Sequence, residues 1–153
     1  MKFTQSFLTS GLLAGALAAP SRVIPADVQV AHFQFNGESE SYKLNVTADG
    51  KVYQTKKDIP VKNINIDDYN ANEQCVFKTT GGKKLDPQFE TNSNDGSQML
   101  VLEEAKPIVS VACEGTCIGI YGLCYSENNQ PLGLCCNGFC AAKHCRPWNT
   151  NGP

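Results

Sequence analysis

An excess of charge of either sign is lacking in this 153-residue chain: 13 Lys and Arg stand against 15 Asp and Glu, a formal net charge of -2. That balance argues against a nucleic-acid partner, and against a membrane surface approached through a basic patch. Histidine is scarcer still. His32 and His144 are the only two, and neither stands in a G-x-S-x-G or H-E-x-x-H setting. The adjacent carboxylates Asp67-Asp68 and Glu103-Glu104 would face opposite sides of a strand, so they do not read as a general acid/base pair. We therefore expect neither an enzyme nor a cofactor. Metal spacings of the C-x2-C or C-x2-C…H-x3-H kind are missing, which removes the usual structural zinc site. Past the first residues, no apolar run is long enough to cross a bilayer of about 30 Å, and none sustains a helical period. No membrane span is expected.

Cysteine is what the chain has in quantity. There are eight, six of them at Cys117, Cys124, Cys135, Cys136, Cys140 and Cys145. The N-terminus matches an oxidising destination. Lys2 precedes the apolar run Phe7 to Ala18, and Ala16-Leu17-Ala18 is a small-x-small cleavage signature. Cutting after Ala18 avoids placing Pro20 directly behind the scissile bond. Residues 1–18 are thus expected to be a signal peptide, 19–27 a flexible segment, and the mature protein secreted and extracellular. An even cysteine count in such a chain implies four disulfides.

Charge and cysteine density both change near Ala112. From Cys113 onward the only charged residues are Glu114, Glu127, Lys143 and Arg146. We therefore expect a domain over 28–112, a disulfide-rich module over 113–147 and a tail over 148–153. The first domain reads as all-β, a small sandwich or barrel of short strands separated by Gly, Asn, Asp and Pro. Val28, Val30, Phe33 and Phe35 suggest a strand with a break in phase near His32. Tyr42, Leu44 and Val46 alternate with polar residues, and Asp49-Gly50 is expected to return Lys51 to Thr55 as a hairpin. Asn45-Val46-Thr47 is the only N-glycosylation triplet, with Asn45 turned toward solvent by strand parity. Setting the six clustered cysteines aside leaves Cys75 and Cys113, which would join a middle strand to the last one. A competing assignment gives Cys117 to Cys75 and uses Cys113 in the module. Cys135 and Cys136 need different partners, because adjacent residues in an extended chain face opposite ways. Six cysteines still permit 15 pairings.

Two resemblances extend this reading. Val28-Gln-Val30, Tyr42 to Tyr53, Ile64-Asn-Ile66, Cys75-Val-Phe77 and Val109 to Cys113 together resemble small secreted fungal β-sandwich proteins of the effector-like, hypersensitive-response-inducing type. That likeness implies a fold and a secreted, virulence-related role, with no catalytic residues to transfer. The spacing C-x6-C-x10-CC-x3-C-x4-C resembles an inhibitor cystine knot, or knottin. It implies the pairs Cys117–Cys136, Cys124–Cys140 and Cys135–Cys145, the last threading the ring closed by the other two. A hevein-like chitin-binding module also has an adjacent pair, but it carries further cysteines and a C-G step that Cys140-Ala141 lacks.

With sulfur filling its interior, such a module has many apolar side chains to spare. Tyr121, Tyr125, Phe139 and Trp148 are the expected partner contacts, since aromatic residues dominate binding hot spots. Lys143 and Arg146 could steer an acidic partner. Ile118, Ile120 and Leu123 serve equally well as glue against the first domain. The expected function is an effector-like protein that binds an extracellular protein of another organism through the knottin loops. A protease inhibitor and a binder of chitin or another cell-wall polysaccharide are the alternatives.

Overall fold

A computed structural model describes residues 28–92 and 94–148. Ala18 and the cleavage expected there lie outside these residues, as do the whole segment over 19–27 and the tail beyond Trp148. The fold is all-β. Its strands are β1 (Val30–Asn36), β2 (Ser41–Thr47), β3 (Asp49–Gln54), β4 (Pro60–Asn65), β5 (Cys75–Lys78), β6 (Lys84–Leu85), β7 (Gln88–Thr91), β8 (Gln98–Pro107) and β9 (Ser110–Glu114). One short helix, α1 (Ala71–Gln74), precedes β5. The C-terminal strands are β10 (Cys117–Ile118), β11 (Leu134–Cys135), β12 (Phe139–Ala141) and β13 (His144–Arg146).

Two antiparallel sheets share one core. The five-stranded sheet runs β2-β1-β4-β8-β7, and the four-stranded sheet β3-β9-β5-β6. Period-two alternation on β1 sends Ala31, Phe33 and Phe35 inward. Phe33 meets Phe77 of β5 edge to face at 5.8 Å, so one aromatic pair ties the sheets together. Phe35 sits opposite Tyr42 in the ladder and stacks on it at 4.7 Å. Ile64, Leu100, Ile108 and Val111 are among the other fully buried side chains, each contributing about 1.5–3 kcal/mol of apolar transfer.

Three strand expectations need correction. First, β1 has no phase break. Val28 and Val30 are exposed, and the buried phase starts at Ala31. Second, Asp49-Gly50 makes no hairpin. β3 leaves the sheet that holds β2 and pairs antiparallel with β9 instead. Ala48 is buried at the corner, Gly50 takes φ +76°, and the β3–β9 register shifts between Asp49 and Val52. A bulge at such a corner lets one strand pass from sheet to sheet. Third, β9 runs on to Glu114, so the sheet ends two residues beyond the expected boundary at Ala112. Cys113 therefore belongs to the sandwich, directly opposite Cys75, and the two form a disulfide.

The remaining disulfides join Cys117 to Cys136, Cys124 to Cys140 and Cys135 to Cys145. No cysteine is free. In the C-terminal module β10 and β11 pair in parallel, while β12 and β13 form a hairpin. The hairpin turns through Ala142 and Lys143, both at positive φ, the geometry a two-residue turn needs to match strand twist. The module's own interior is sulfur: Cys124, Cys135 and Cys145 are buried, with Ile118 packed on them. Their sulfur atoms lie within 4.8 Å of one another. All three are oxidised, so they offer no thiolate to a metal.

Candidate functional site

The C-terminal module is fastened to the sandwich by amide side chains that reach its backbone. Gln29 does so in both directions. Its Nε2 donates to the Cys117 carbonyl at 2.8 Å, and its Oε1 accepts from the Cys117 N–H at 2.7 Å, replacing a missing strand partner. Buried Gln98 donates to the carbonyls of Cys136 (2.7 Å) and Tyr69 (3.3 Å). The segment between β4 and α1 supplies two more, and Gln74 of α1 donates to the Thr116 carbonyl at 3.0 Å. Tyr69 Oη donates to the Gly115 carbonyl, and Asn70 Nδ2 to that of Cys135. Burial pushes the Tyr69 hydroxyl above its ordinary value, and nearby Glu114 adds to the rise. Cys117 and Cys136 accordingly join the buried cluster of the sandwich itself.

Between these fastenings lies an open cleft of about 480 Å³. Asn70, Asn72 and Glu73 of the α1 turn, with Phe89 of β7, line its sandwich side. Tyr125, Pro131, Leu134, Phe139 and Trp148 line the module side. Asn70 caps the helix by accepting from the Glu73 N–H, which sets Glu73 on the cleft wall. Trp148 lies between Phe89 and Phe139, 5.6 Å from each ring. Its indole N–H donates to Gln98 Oε1 at 3.5 Å.

The six residues expected to contact a partner therefore divide. Tyr125, Phe139 and Trp148 meet at the cleft, and Trp148 also packs the two units together. Tyr121, 65 % exposed, is elsewhere, under the Arg146 guanidinium at 5.8 Å from the ring centroid. Lys143 is tied back to its own module, donating to the Glu127 carbonyl at 2.9 Å. Of the three glue candidates, Ile118 packs inside the module, while Ile120 and Leu123 are exposed. Asn45 is exposed on β2, beside a second hollow of about 390 Å³ that holds the His32–Asp68 pair. Among the described residues, no hydroxyl or thiol side chain lines that hollow.

Asn70, Asn72, Glu73, Phe89 and Gln98 escape a sequence reading. The N-x-x-E step from Asn70 to Glu73 is a helix-start signature and was a usable signal. Phe89 and Gln98 carry none, because their role depends on a neighbour remote in sequence. Among the described residues no helix is long and apolar enough to cross a membrane. Comparison with protein-family models, curated proteins and solved structures finds no match.

Proposed function

We propose that this is a secreted, effector-like binding protein that engages a protein of another organism through loops held on a knottin-type disulfide frame. The observation that carries the reading is exposure without disorder of shape. Tyr121, Leu123, Leu132 and Leu134 are 65, 53, 54 and 46 % exposed, on a module with three disulfides and a sulfur interior. Apolar side chains left exposed on a rigid support are available for contact, and rigidity lowers the entropy lost on binding. The Lys2 to Ala18 pattern supports export, and four disulfides are compatible with the oxidising surroundings it leads to. Asn45, exposed on β2, would then be a glycan acceptor. A trypsin-type inhibitor is disfavoured, since neither 118–123 nor 125–134 displays a Lys or Arg.

The test compares the mature protein with a Tyr121→Ala, Leu123→Ala, Leu132→Ala variant for retention on intact plant, insect and mammalian cells. Retention on one cell type, reduced at least about tenfold in the variant, is the expected result, as hot-spot losses add to more than 1.4 kcal/mol. Equal retention of both proteins removes the reading.

A further inference from the structure

We propose that the cleft between sandwich and module seats a lysine- or arginine-bearing peptide segment. The assignment rests on the reading of this chain as a binder of proteins, and it names the chemistry one part of that partner must supply. Among the described residues, Glu73 is the one charged residue on the cleft wall. Neither nearby cation compensates it there. Lys143 is held by the Glu127 carbonyl and Arg146 lies over Tyr121, and neither lines the cleft. The remaining wall is unusually aromatic, with Phe89, Tyr125, Phe139 and Trp148 contributing rings. Ring faces carry negative potential and attract an ammonium or guanidinium, while a carboxylate at the rim adds a charge-assisted hydrogen bond. An anionic ligand would meet Glu73 with no cation to offset it. The polar groups deeper in the wall are already engaged: Asn70 with Cys135 and Glu73, Gln98 with Cys136, Tyr69 and Trp148. Asn72 Nδ2 donates to Glu73 Oε1 at 3.0 Å, an uncharged partner that leaves the carboxylate its negative charge. That leaves few free donors and acceptors for a neutral sugar, and leaves the Glu73 charge and the rings as the available chemistry.

Trp148 is the single tryptophan of the chain, so its fluorescence reports on this cleft alone. The oxidised, full mature protein is titrated with acetyl-arginine amide, its uncharged isostere acetyl-citrulline amide, and diacetylchitobiose. A saturable change with the arginine compound is expected, about tenfold tighter than with citrulline. Glu73→Gln should weaken it about threefold and flatten its salt dependence, with the unliganded spectrum unchanged. Equal affinity for arginine and citrulline, a response to the sugar only, or no response to any probe would each overturn the assignment. The surface variant used for cell retention does not touch the cleft wall. Retention lost in that variant while arginine binding fails refutes the cleft alone; arginine binding without any cell retention refutes the broader reading and keeps the cleft.

Discussion

Residues 28–114 and residues 115–148 reach a fixed structure by different means. The sandwich buries Phe33, Phe35, Phe77, Ile64 and Leu100 between two sheets, and one disulfide, Cys75–Cys113, lies between neighbouring strands. The module has three disulfides around a small sulfur interior, and it leaves Ile120, Tyr121, Leu123, Leu132 and Leu134 in solvent. A unit this short cannot cover its apolar residues and also fill a core, so cross-links take over the stabilising role. The consequence is functional. Stability drawn from apolar burial consumes the side chains best suited to binding, whereas stability drawn from sulfur leaves them free.

The contrast can be broken at its strongest point first. Phe77→Ala removes the ring that bridges the sheets and should cost about 3–5 kcal/mol, read as a fall in the urea midpoint of the whole domain. Replacing Cys124 and Cys140 together by Ala should cost roughly 3 kcal/mol by loop-closure entropy, for a separation of 16 residues. Hydrogen exchange is expected to show that loss in 117–146, with the amides of β1, β4 and β8 still protected. Loss of protection in both regions alike would mean that they fold as one unit. Gln98→Ala tests the fastening between them. It strands the Cys136 carbonyl, and a buried unpaired group costs about 1–3 kcal/mol. Trp148 emission should shift to the red as the module loosens. Asp49→Asn gives the smallest effect. The Lys51 ammonium, through a side-chain hydrogen bond, holds the Asp49 carboxyl below its ordinary range. A depressed carboxyl contributes stability above its unfolded pKa and loses it as pH falls through the folded value. The variant should therefore be slightly less stable than the parent above about pH 4, with the difference shrinking as pH falls below the ordinary carboxylate range. Acid titrations followed by circular dichroism check this.

Much of the sandwich was legible locally. Alternation identified β2 and placed Phe33 and Phe35 on a strand, and Asn137-Gly138 has the composition of a turn. Gly138 shows why such a residue is there: at φ +88° a Cβ would collide with the Arg146 carbonyl. Local reading failed where a strand chose its partner. Asp49-Gly50 has the composition of a hairpin turn, yet β3 pairs with β9, because buried Ala48 and the adjacent bulge redirect the chain. The site was half legible. Tyr125, Phe139 and Trp148 could be picked out as aromatics of a small module, but Phe89 and Glu73 face them from positions 36 or more residues earlier in the chain. Tyr121, chosen as an aromatic, and Lys143, chosen as a base that could steer an acidic partner, are held elsewhere by Arg146 and Glu127.

By itself, the order of residues determined the strand alternation and the crowding of six cysteines into a stretch too short for an apolar core, since both depend on spacing along the chain. The tertiary structure alone decided which sheet β3 joins, which aromatics share a wall with Glu73, and how Gln29 and Gln98 bind the module to the sandwich. Those outcomes depend on hydrogen bonds and burial between residues far apart in sequence, where local periodicity carries no information.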